Sequence, residues 1–71
     1  MDWKDEPRAI KAALRANGFN VISAKKGTGT ARCWNKIKVA DKYNDWNKTV
    51  TEANRIGEMV CGHDKVNINV A

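Results

Sequence analysis

Histidine and proline occur once each in these 71 residues, cysteine twice, and long apolar runs not at all. A membrane-spanning helix needs roughly 18 or more continuous apolar residues, and no segment approaches that, so a membrane is not an expected partner. Two cysteines without a signal-like apolar run point to a reduced, cytoplasmic protein, because a secreted domain this small usually carries a denser disulfide framework. Repeats, low-complexity tracts and linkers are also missing. The chain is therefore read as a single domain, 1–71, with room for one modest core.

What is plentiful is positive charge. Thirteen Lys and Arg against eight Asp and Glu give a net charge of +5 and a pI near 9.5. Such a balance favours polyanions or acidic protein surfaces as partners over cationic ones.

Asp5-Glu6-Pro7 marks a helix start, with an acid to accept free N–H groups and a proline whose missing donor costs nothing there. The helix runs to about Asn17, and Gly18 closes it. Ile10, Ala13, Leu14 and Asn17 share one side, while Arg8, Lys11 and Arg15 form a basic ridge opposite. Phe19 to Ala24 reads as a first strand with Phe19 and Val21 inward. Lys25 to Thr30, rich in glycine and cations, is a hairpin loop leading into a second strand, Ala31 to Val39. On that strand Ala31, Cys33, Ile37 and Val39 fall inward, and Arg32, Trp34, Lys36 and Lys38 outward.

Asn44 or Asp45 caps a second helix that ends near Cys61, with Gly62 closing it. Its inward stripe is Trp46, Val50, Ala53, Gly57 and Val60, with Ile56 alongside, and Lys48, Glu52, Arg55 and Glu58 face the other way. Gly57 on the inward stripe costs about 1 kcal/mol of helix propensity relative to alanine, which points to close approach by a strand or a bulky ring. Lys65 to Ala71 alternates again, with Val66, Ile68 and Val70 inward and Lys65, Asn67 and Asn69 outward.

The pattern is α+β, in the order α-β-β-α-β. A right-handed crossover through the second helix lays the third strand parallel to the second. Placed beside the first strand, the third is antiparallel to its neighbour, and that placement gives the expected architecture. It is a three-stranded, mainly antiparallel sheet of order 2-1-3, with both helices packed on one face.

The uncovered face then carries the candidate nucleic-acid-binding residues Arg32, Trp34, Lys36, Lys38 and Lys65, extended by Lys25 and Lys26 near the hairpin. Cations meet phosphates there and an indole offers a stacking platform, the combination that single-strand binders use. The competing reading is an ordinary solvated sheet on which Trp34 covers the aliphatic stems of Arg32 and Lys36.

Other constellations carry less. Gly27-Thr28-Gly29-Thr30 lacks the Lys-Ser/Thr of a phosphate-binding P-loop and is not followed by a helix, so it is read as a hairpin turn. Cys33, Cys61, His63 and Asp64 contain no Cys-x-x-Cys pair, and Cys33 is expected inward as a small apolar group. No cofactor or metal is expected. A thiol nucleophile assisted by His63 lacks a third group and an oxyanion site, so an enzyme is not expected either.

The runs Arg15-Ala-Asn-Gly-Phe-Asn-Val21 and Gly27-Thr-Gly-Thr-Ala-Arg-Cys-Trp-Asn-Lys-Ile-Lys-Val39 resemble small α-β-β-α-β modules among the large polyvalent-protein-associated domains of phages and mobile elements. The shared features are a helix ending before Gly-aromatic, a glycine-rich hairpin and a tryptophan on the second strand. The resemblance implies a phage or plasmid context and the same element order, and it transfers no catalytic residues. The resulting expectation is a small non-enzymatic binding module that uses its basic, tryptophan-bearing face for nucleic acid. The alternative is a module that docks on an acidic host protein.

Overall fold

The computed structural model describes residues 3–71, apart from the side chains of Trp3 and Ala31. After a 3-10 turn, Trp3–Asp5, the elements are α1 (Glu6–Ala16), β1 (Val21–Lys26), β2 (Asn35–Val39), α2 (Trp46–Cys61) and β3 (Val66–Val70). The order α-β-β-α-β is the expected one.

Local chemistry accounts for the element ends. Pro7 sits in the first turn of α1, where its missing N–H has no helical acceptor to lose. At the other end Gly18 takes φ +84°, its N–H donates to the Arg15 carbonyl and the Phe19 N–H donates to the Leu14 carbonyl. This is a Schellman closure, and it throws Phe19 back into the core beside Leu14. The Asp45 side chain accepts the Lys48 N–H at 3.3 Å to cap α2, and Gly62 ends that helix at φ +78°. Asp5, by contrast, makes no side-chain cap bond. The carboxylate next to it, Glu6, is turned inward instead.

The sheet is mixed and ordered β1-β2-β3, not 2-1-3. β1 and β2 form an antiparallel pair, and β3 lies parallel to β2 on its far side. The crossover through α2 thus places β3 on the open edge of β2, and β2 becomes the central strand. Burial on the inner side of β2 follows from that position: Asn35, Ile37 and Val39 are all fully buried. Both helices pack on this side, α1 against β1, β2 and α2, and α2 against β3. Ile10, Leu14, Phe19, Val21, Ile37, Val39, Ala53, Ile56, Val66 and Ile68 form the core between them.

Two strands differ from the alternation pattern. β2 begins at Asn35 rather than Ala31, because Gly29–Ala31 winds into a 3-10 turn and residues 32–34 remain outside the ladder. Cys33 is therefore exposed rather than inward; the expected inward placement of the Ala31 side chain lies outside the described residues. β1 extends to Lys26 and contains a β-bulge, since Val21 pairs with Val39 but Ser23 pairs with Lys38. The extra residue, Ile22, shifts the inward set by one position. Beyond it Ala24 and Lys26 turn inward, and Ser23 and Lys25 are exposed.

The buried stripe of α2 is also rotated from the expected one. Thr49, Ala53, Ile56 and Gly57 are buried, and Trp46 is 59% exposed. Thr49 is drawn in by the turn before the helix, where its hydroxyl donates to Asp41 Oδ1 at 2.5 Å. Gly57 does allow a close approach: a Cβ placed there would lie 2.9 Å from Val66 Cγ1 on β3. Gly57→Ala is accordingly expected to lower stability in urea unfolding by about 1–2 kcal/mol, since overpacking outweighs the gain in helix propensity. An unchanged or higher urea midpoint would show that β3 yields to the added methyl.

Candidate functional site

Two regions of the molecule concentrate polar chemistry, one on a face of the sheet and one at its end. The first is the face away from the helices. Ser23 and Lys25 from β1, Lys36 and Lys38 from β2, and Asn67 and Asn69 from β3 are all exposed. Register places Lys25 directly opposite Lys36, Ser23 opposite Lys38, and the two β2 lysines beside Asn67 and Asn69. Among the described residues no acid lies in a strand, and the strands contribute three ammonium groups and no carboxylate to this face. Like charges directly opposite across an antiparallel pair are unfavourable in themselves. Two further groups border the face: Ile22, pushed out by the bulge and 52% exposed, and Trp34, one residue before β2 and 40% exposed.

The second region is a groove at the end of the sheet where β2 and β3 begin. It is lined by Glu6, Lys26, Arg32, Cys33, His63 and Lys65. Its floor is the Glu6 carboxylate, whose Oε1 accepts from Lys26 Nζ at 2.7 Å, His63 Nε2 at 3.0 Å and Asn35 Nδ2 at 3.1 Å. His63 Nδ1 accepts the Lys65 backbone N–H at 3.1 Å, which places the ring proton on Nε2, facing Glu6. Burial alone would push the Glu6 carboxyl up. The hydrogen bonds from Lys26, Asn35 and His63, with the charge of Lys26, more than offset it and hold the group at about 2 against an ordinary 4.5.

The expected site residues thus divide between the two regions. Lys25, Lys36 and Lys38 share the open face, with Trp34 at its border. Arg32 and Lys65 line the groove. Lys26 does not extend the open face: the bulge turns it inward, where its side chain is 13% exposed and salt-bridged to Glu6. Glu6 and Asn35 were not anticipated, although Glu6 continues the Ile10 and Leu14 row at a spacing of four, and Asn35 shares the parity of Ile37 and Val39. Those two periodicities were the available signal.

Among the described residues no three His, Cys, Asp or Glu side chains converge in a way that could hold a metal ion. Both cysteines are free thiols, and the Cys61 Sγ–H donates to the His63 carbonyl at 3.3 Å. Both ring nitrogens of His63 are already engaged, so neither is placed to take a proton from Cys33. Among the described residues no helix is long and apolar enough to cross a membrane. Comparison of the chain with protein-family models, with curated proteins and with solved structures returns no match in any of the three.

A carboxyl held below its unfolded-state value contributes stability above pH 4.5 and loses it as the pH falls towards 2. Acid titration of the urea midpoint is expected to fall across that window. Glu6→Gln should reduce stability at neutral pH by on the order of 2 kcal/mol and flatten the fall. A variant with an unaltered acid limb would remove Glu6 from the explanation.

Proposed function

We propose that this chain is a small, non-enzymatic binding module that holds single-stranded nucleic acid against the open face of its sheet. The observation that carries the reading is the register of that face: Lys25 opposite Lys36, Lys38 next along β2, and no carboxylate on any strand. Ammonium groups facing one another with no ion-pair partner among the described residues favour an external polyanion, whose binding releases condensed cations and is correspondingly sensitive to salt. Trp34 and Ile22 supply apolar surface at the border, and stacking of a base on an indole is worth about 1–3 kcal/mol. Asn67 and Asn69 add neutral donors and acceptors beside the lysines. A phage or mobile-element context belongs to the same proposal and rests on the resemblance of the Arg15–Val21 and Gly27–Val39 runs.

The test is anisotropy of a labelled oligothymidylate titrated at several salt concentrations. Affinity is expected to fall steeply with salt. The combined Lys25→Gln, Lys36→Gln and Lys38→Gln variant should lower the slope of log K against log salt by about 2, at roughly 0.7 per single-strand phosphate contact. Trp34→Leu should weaken binding roughly tenfold at every salt concentration. Absence of binding at low salt discards the reading and turns attention to an acidic protein as the partner of the same face.

A further inference from the structure

The groove at the sheet end carries a charge imbalance of its own. Lys26, Arg32 and Lys65 line it against a single carboxylate, Glu6. That carboxylate is already engaged by Lys26, Asn35 and His63 through one oxygen, and its partner cation is Lys26. Arg32 and Lys65 have no ion-pair partner among the described residues, and the neighbouring Asp64, although exposed, makes none. The wall is fixed by this network, while two cations from separate loops remain uncompensated over it. Arg32 belongs to the segment between β1 and β2, and Lys65 to the turn before β3.

We infer that this groove is a phosphomonoester site, and, resting on the nucleic-acid reading of the open face, that it receives the terminal phosphate of a bound strand. Two uncompensated cations match a phosphomonoester, which carries a charge of about −1.5 to −2 at neutral pH, better than an internal phosphodiester with one charge. Arg32 supplies a planar fork suited to two phosphate oxygens, and Lys65 a point charge. Position connects the groove to the face. The Lys65 carbonyl accepts the Asn35 N–H at 2.9 Å, so Lys65 adjoins the start of β2 and lies two residues before the exposed Asn67. In the chain, Trp34 follows Cys33 of the groove and immediately precedes β2, two residues before Lys36 of the face.

The experiment compares a short oligothymidylate with a 5′-phosphate, a 3′-phosphate or hydroxyls at both ends, and adds inorganic phosphate as a separate probe at constant ionic strength. One phosphorylated form is expected to bind about tenfold tighter than the unphosphorylated strand, and which one identifies the end that is held. Arg32→Gln combined with Lys65→Gln should erase that ratio. Lys36→Gln combined with Lys38→Gln should weaken all three strands and leave the ratio intact. Inorganic phosphate should shift the amide resonances of Arg32, Cys33 and Lys65 in the unaltered protein, a readout that does not depend on any variant folding. If all three strands bind alike and inorganic phosphate leaves those resonances unmoved, the groove assignment is overturned while the open-face reading stands. If no strand binds but phosphate still shifts them saturably, the phosphate site stands and the open-face reading falls, together with the terminal-phosphate role.

Discussion

A carboxylate shut away from water must be met by donors or it gives up its charge, and Glu6 is met by three. Its Oε1 gathers Lys26 from the end of β1, Asn35 from the start of β2 and His63 from the loop after α2, while Glu6 itself opens α1. One atom thereby holds together four segments that the sequence spaces across most of the chain. The desolvation of such a group is unfavourable, and its three donors offset it; removal of the Glu6 carboxylate would leave the buried Asn35 Nδ2 with only its longer bond to the Lys65 carbonyl at 3.4 Å. Asn35 shows the tension within this cluster, since its Oδ1 is buried without a partner while its Nδ2 serves Glu6. The amide cannot be reversed without presenting an oxygen to the carboxylate.

The bulge at Ile22 is the second constraint, and it acts on both sides of the sheet at once. A strand alternates with period two, so one inserted residue exchanges the faces of everything beyond it. Without the insertion Lys26 would point outward, Glu6 would lose its cation, and Lys25 would be driven towards the core. With it, Lys26 completes the buried cluster and Lys25 joins Lys36 and Lys38 outside. The same irregularity therefore supports the interior and assembles the charged surface. The helices pack against the other side, and the three lysines are exposed to solvent.

Features fixed by local chemistry were legible in the residues themselves. Gly18 and Gly62 take the left-handed conformations that end their helices, Asp45 caps α2, Phe19 and Val21 are inward, and Gly57 makes room for Val66. The alternation of β3 was equally plain, with Val66 and Ile68 buried and Asn67 and Asn69 exposed. What escaped were consequences of tertiary context. Strand order depends on which edge of the sheet the crossover selects, and no local signal in Val66–Val70 names its neighbour. The bulge leaves no glycine at Ile22 to announce it. The rotation of the α2 stripe follows from the Asp41–Thr49 hydrogen bond, a contact across the preceding turn that makes a threonine a better inward residue than Trp46. For the site, charge composition pointed to the lysines of β2, but the division between face and groove became visible only with the register of β1.

The decisive measurement is a two-dimensional amide NMR titration of the unaltered protein with single-stranded oligonucleotide at low salt. If the acid-free face is the binding surface, the resonances that move should cluster at Lys25, Lys36, Lys38, Asn67 and Asn69, with the basic ridge of Arg8, Lys11 and Arg15 on α1 unaffected. Shifts confined to that helix ridge, or spread evenly over every cation of the molecule, would contradict it.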